Sequence, residues 1–408
     1  MTLKYSNKSL RISQTVSGTS NTLPKILLGL LAFCEKNIVR YGLYVFSMLP
    51  KIGFLSKYIL LVLYLVLIFL CIAKKNKVGV TELLVPLFMV SAILLTFVFY
   101  PQNAKYITDS KNFWNIIFPC LRWFIVGLII IPDKFMIDLL GKASCLAIIV
   151  ETAFLIFYMI PNGLVVSDDM SRAYQLLPNV MLAFNYAFNS KKATAIFLSL
   201  VGLLYLLSLG TRGPFLILIV FIVIKFVRTN ILSSKRKLLS VLGVCVLGVI
   251  LLVPKIYISI FTLIKNIIGK TGLSTRILDF LIEGTTISET GGRDDLFKTA
   301  LELISERPLL GHGVYGEWPV VYWNIHNMYL ELWIHYGVIL GSLLLIWGIN
   351  LIAKTYFKTK NSYAKDIILI FTSFVFFRGF FGGSYLMYGV FFLLGLCIKE
   401  RRRIRSNL

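Results

Sequence analysis

The chain has 408 residues; 57% are hydrophobic, 14% aromatic and 15% charged, where a soluble protein carries about 25% charged residues. With a mean hydropathy of +0.81 and long apolar runs from end to end, it is no ordinary soluble enzyme but a polytopic helical membrane protein. The runs are continuous, which excludes a β-barrel. The net charge of +23 lies mostly in short Lys/Arg clusters between apolar runs, where it sets topology. It forms no basic face interleaved with exposed aromatics, so nucleic acid is not a partner.

In chain order, residues Met1 to Thr22 are polar, Ser/Thr-rich and basic, with no cleavage site after a short apolar stretch. They read as a retained cytoplasmic tail. Apolar runs of membrane-spanning length then give about 12 spans. These are Ile26–Leu49, Tyr58–Ala73, Thr81–Tyr100, Phe113–Ile131, Leu139–Ile160, Tyr174–Phe188, Ala193–Leu209, Pro214–Val227, Leu238–Ile258, Asn327–Ala353, Asp366–Gly382 and Tyr385–Ile398. Glu35, Lys36 and Arg40 interrupt the first. The six cysteines fall in apolar runs without a close CxxC pair, so they read as small packing residues and not as a zinc site or disulfide framework.

Basic clusters at Lys74–Lys77, Lys191-Lys192, Arg228–Lys237, Lys354–Lys365 and Lys399–Arg405 share one side if both termini are cytoplasmic. The predicted organisation is a cytoplasmic tail (1–23), nine spans (24–258), a large outer loop (259–325), three spans (326–398) and a basic cytoplasmic tail (399–408). Inside the outer loop, Leu296, Phe297, Ala300, Leu301 and Ile304 recur with a helical period. Asp294 and Asp295 open that helix, favoured by its dipole, and Pro308 ends it. The expectation is an amphipathic helix lying on the outer membrane surface, with Ser259–Ile268 a second candidate.

All three histidines, His312, His326 and His335, lie between Gly291 and Gly341. His326 reads either as an interfacial anchor or as a general base at the outer face. His335 points away from it on a helix, so the two are not expected to share a metal. Arg212, between Gly210 and Gly213, lies on the outer side against the usual charge bias, which favours an anion site over a snorkelling side chain. Arg293 is open to that reading or to a surface ion pair with Asp294 or Asp295. Arg276 and Arg172 share the ambiguity. Arg378, inside a span near its outer end, requires an anionic partner. Arg122 and Glu151 are expected to pair. Helix-start chemistry explains Asp294-Asp295 without a metal. Glu317 and Glu331 receive no role.

At these residues the sequence resembles the O-antigen ligase/polymerase family of bacterial envelope glycosyltransferases. Ser208-Leu209-Gly210-Thr211-Arg212-Gly213 ends a span. Gly292-Arg293 leads the amphipathic helix to Arg307-Pro308-Leu309-Leu310-Gly311-His312-Gly313. His326-Asn327 is followed, across Met328 to Tyr336, by Gly337. The last element departs from the family pattern, with Leu340 where Gly, Thr or Tyr is usual and Gly341 one residue later. The resemblance implies an all-α, C-type glycosyltransferase-like membrane protein of the bacterial inner membrane. It implies inverting, metal-independent transfer from an undecaprenyl-pyrophosphate-linked oligosaccharide at the outer face, without cofactors.

In that reading His326, Arg293 and Arg212 are catalytic. Arg212, Arg293, Arg378, Arg276, Asn327 and Tyr329 bind pyrophosphate or sugar, and rigid guanidinium forks suit phosphate oxygens. Implied partners are membrane lipid, a chain-length regulator and the flippase of the same pathway. A Wzy-type polymerase is the leading expectation, ahead of the ligase that moves glycan onto lipid A core. A flippase is the rival of another class, but it would distribute charge along a transmembrane cavity.

Overall fold

The computed structural model describes residues 23–33, 62–71, 80–109, 117–159, 170–209, 212–230, 254–270, 293–322 and 324–406, with single positions 161, 279 and 282. Among these residues the regular structure is helical, without strands. The helices are α1 (Leu23–Phe33), α2 (Val62–Cys71), α3 (Val80–Phe99), α4 (Ala104–Thr108), α5 (Phe118–Ile129) and α6 (Lys134–Phe154). Next along the chain are α7 (Met170–Ser190), α8 (Ala193–Ser208), α9 (Arg212–Asn230) and α10 (Pro254–Gly269). Last come α11 (Arg293–Glu306), α12 (Trp318–Val321), α13 (Met328–Lys358), α14 (Ser362–Phe381) and α15 (Tyr388–Ser406).

Among the described residues, three stretches are long and apolar enough to cross a membrane: Glu82–Phe99, Lys134–Met159 and Met328–Lys358. Helices α1, α2, α5 and α8 are apolar but shorter. Most of the described apolar runs lie in helices, and α7 and α9 extend past the predicted bounds at both ends. Most of the predicted first span and of Leu238–Ile258 lies outside the described residues, as does Arg276.

The core gathers around α5, α14 and α15. Phe33 of α1 meets Trp123, Phe371 and Phe392 at ring distances of 5.3, 5.7 and 5.5 Å, an edge-to-face cluster favoured by the ring quadrupoles. Helices α5 and α15 approach backbone to backbone: a Cβ on Gly127 would lie 2.3 Å from the Phe392 carbonyl. Such small-residue contacts are how helices pack without a hydrophobic drive. The expected pair of buried charges takes other contacts: Arg122 lies over the Tyr64 ring at 4.2 Å, and Glu151 accepts from the Tyr205 hydroxyl at 3.1 Å. Cys71, Cys120, Cys145 and Cys397 are buried free thiols.

At the basic end, Asp366 holds three helices together. It accepts from Lys225 at 2.8 Å and Arg228 at 2.9 Å on α9, and from Asn189 on α7 at 3.2 Å.

Helix α11 forms where the periodicity places it, but its apolar face is turned. Ala300, Leu303 and Ile304 are buried against Ile325 and Ile334, with Phe297, Leu330, Trp333 and Val338 around them. Leu301, expected on that face, is 57% exposed. The helix thus docks on α13, a protein surface, instead of presenting this face to lipid. Leu303 shares that cluster with Ile334 and Val338 of α13.

Candidate functional site

The segment after α11 is spliced into α13. Helix α13 is broken at Gly337, whose φ of 75° and ψ of 165° are not helical. The break frees backbone groups that a continuous helix would consume. Segment 308–313 takes them: His312 N donates to Ile334 O at 2.6 Å, Gly313 N to His335 O at 3.1 Å, and Val338 N to Pro308 O at 2.7 Å. Two glycines make the contact possible. A Cβ on Gly337 would lie 2.2 Å from Leu309 O, and one on Gly311 would lie 2.6 Å from Gly337 N. The two motif glycines are thus one steric device.

The same segment is held from its other side by the end of α3. Tyr100 donates to Gly311 O at 2.9 Å, Asn103 Nδ2 to His312 O at 2.8 Å, and Val314 N to Thr96 Oγ1 at 3.0 Å. His312 Nε2 meets Leu303 O at 2.8 Å, tying the segment back to α11. Left-handed backbone concentrates here: Gly311, Gly313, Tyr315, Tyr322, His326 and Gly337 all have positive φ, and elsewhere among the described residues only Lys191 and Gly382 do.

Beneath the splice lies a buried polar cluster to which the sequence analysis assigns no role. Glu331 and His335 stand one turn apart on α13, so they share a face. His335 Nε2 meets Glu317 Oε2 at 2.6 Å, and its Nδ1 meets the Tyr385 hydroxyl at 2.8 Å. Tyr385 and Tyr336 share a hydrogen bond of 3.0 Å. Glu331 accepts from Ser384 Oγ at 2.7 Å and from Tyr385 N at 3.1 Å. The turn after Gly382-Gly383 is therefore the lid on this cluster.

Glu317, Glu331 and His335 are all buried, and one ligand atom from each lies within 4.8 Å of the others. Two ligands of one small cation stand roughly 3 Å or more apart, given bond lengths of about 2.0–2.2 Å. At 2.6 Å, the His335 imidazole and the Glu317 carboxylate are hydrogen-bonded to each other. Glu317 Oε1 and the Tyr315 hydroxyl have no hydrogen-bond partner among the described residues. Burial pushes the Tyr315 phenol far above its usual range, with Glu331 adding to the shift, so it stays neutral. The signal in the sequence is the Glu331-x-x-x-His335 spacing within an apolar run; neither residue faces His326, so the pair stands out only when the two are compared with each other.

Among the predicted site residues, His326 has φ 59° and lies two residues before α13; a left-handed non-glycine is a feature of strained functional positions. Asn327 caps α13, its side chain accepting from Tyr329 N and Leu330 N at 3.0 and 3.2 Å. Tyr329 donates to Phe376 O at 3.1 Å, so both have structural tasks besides any contact with a substrate. Arg212 and Arg293 are the first residues of α9 and α11.

Arg378 packs on aromatic rings and not against a carboxylate of the described residues. Its guanidinium lies over Tyr174 at 4.5 Å and Phe374 at 5.3 Å, and its Nε is buried without a hydrogen bond. Its turn of α14 packs on the first turn of α13: a Cβ on Gly379 would meet Met328 Cε at 3.0 Å.

Residues 195–345 match the family model described as O-antigen ligase. The matched region runs from α8 into α13. It contains all three sequence motifs, the splice, and Glu317, Glu331 and His335. No curated protein and no solved structure was found to match the chain.

Proposed function

We propose, starting from an O-antigen ligase family domain over residues 195–345 in a helical membrane protein, that the chain is a polysaccharide polymerase. It joins lipid-linked repeat units at the outer face of the inner membrane. One observation carries this reading: the second and third motifs meet in one unit, with Gly311 seated on Gly337 and a left-handed His326 two residues before α13.

In the proposed reaction a hydroxyl of the acceptor sugar attacks the anomeric carbon of the donor. The C–O bond to undecaprenyl pyrophosphate breaks with inversion, and the hydroxyl proton passes to His326. A positioned base of this kind contributes about 10²–10⁴ in rate. The leaving pyrophosphate gains negative charge, which Arg212 and Arg293 stabilise by paired hydrogen bonds at a water-poor face. Arg276 joins them. Arg378, with a buried unpaired Nε on the turn packed against Met328, is a further cation for that group. The chemistry needs no metal.

The test is reconstitution. Purified protein receives its lipid-linked repeat unit without added metal, and products are resolved by length. A ladder from the parent that is lost in folded His326→Ala and Arg293→Ala supports the reading. Transfer that appears only with lipid A core would make the protein the ligase. Passage of the lipid across vesicles without any new glycosidic bond would make it a flippase.

A further inference from the structure

At the opposite, basic end of the molecule, a groove of about 590 Å³ opens between α9 and α14. Its floor is apolar, formed by Val223, Ile224 and Val227. Its rim is cationic, with Arg228, Lys360 and Lys365 beside Ser362. Acyl chains suit the floor, and a phosphodiester suits the rim.

Among the described residues the charge is not cancelled from within. Asp366 is the carboxylate beside the groove, and Lys225 and Arg228 both bind it. One negative charge thus serves two cations before Lys360 and Lys365 are considered. Glu400, near Lys360 in the fold, is buried and held by Thr359 and Arg403. The Tyr356 ring lies 5.8 Å from both Arg228 and Lys365, which gathers these cations from two helices onto one spot. Ser362 is the first residue of α14, so the positive end of that helix dipole faces the rim as well. In the orientation set by the basic clusters, this end meets the cytoplasmic leaflet, where anionic lipids reside.

We infer that this groove is a binding site for an anionic phospholipid, its phosphate at Arg228, Lys360 and Lys365 and its acyl chains along Val223, Ile224 and Val227. The inference is independent of the proposed transfer reaction.

Native mass spectrometry of the purified protein with phosphatidylglycerol, or with phosphatidylcholine of the same chains, tests it. Each surface cation contributes about 1 kcal/mol toward an anionic lipid, so the Lys360→Gln/Lys365→Gln variant should bind phosphatidylglycerol on the order of 10- to 30-fold more weakly. Lys360→Arg/Lys365→Arg keeps the charge and should retain binding. Equal affinity of the parent for both lipids overturns the site, as does a Gln variant that binds like the parent. Inorganic phosphate competing as well as the lipid would show an anion site without lipid specificity, and would also overturn it. Should the Gln variant fail to fold, the comparison of lipids on the parent and the Arg variant still decides.

Discussion

Gly337 leaves no room for a methyl group, since the added carbon would lie 2.2 Å from a carbonyl oxygen on a backbone at φ 75°. The left-handed backbone alone costs an alanine about 1–2 kcal/mol, and the clash adds to it. Gly337→Ala should therefore lower the thermal midpoint in detergent by several degrees; a midpoint equal to the parent's would refute the splice. In the buried cluster, His335→Ala strands the Glu317 carboxylate, a loss of about 3–5 kcal/mol. Glu317→Gln keeps shape and removes the charge, costing about 1–3 kcal/mol. Denaturation should rank the two in that order, and the reverse ranking would mean that Glu317 is held by something other than His335. At this scale the sequence is half legible. The glycines stand out as a pattern, but its steric reason lies in the segment packed against them. Glu331 and His335 are visible as a pair one turn apart, whereas Glu317 and Tyr385 reach His335 only through tertiary contact.

At the scale of elements, the strong period of α11 marks it as a helix but misplaces its contact face. Five apolar positions spread over too wide an arc to choose one contact line, and α13 makes the choice. Leu303→Ala should cost about 2–5 kcal/mol and raise amide exchange across α11. Leu301→Ala, at 57% exposure, should stay within about 0.5 kcal/mol. If Leu301→Ala proves the more harmful, the helix lies on another surface. The break in α13 is less visible, since a lone glycine such as Gly337 is tolerated inside a helical pattern. Beyond the break, Val338 to Lys358 makes roughly 30 Å of helix at 1.5 Å per residue, the thickness of the hydrocarbon core.

For the whole molecule, the positive clusters predict an orientation and the apolar runs predict the membrane passages. The orientation predicts that Tyr322→Cys, at a position 72% exposed, reacts with an impermeant maleimide in intact cells. Lys192→Cys should react only after the membrane is opened. Labelling of both from one side would invert or discard the topology. Cys71, Cys120, Cys145 and Cys397 are buried, which keeps them from competing for the reagent.

The seating of Gly311 against Gly337 has a consequence for how such chains change over generations. Gly311 is small because the backbone of Gly337 and His335 occupies the space, and Gly337 because the backbone of Leu309 and Leu310 does, so both depend on the same seated segment and neither is free to drift alone. The double variant Gly311→Ala/Gly337→Ala should therefore be well short of twice as damaging as either single variant, a departure from additivity expected of residues in direct contact. Two sites separated by most of a helix and a loop would then be inherited as one character.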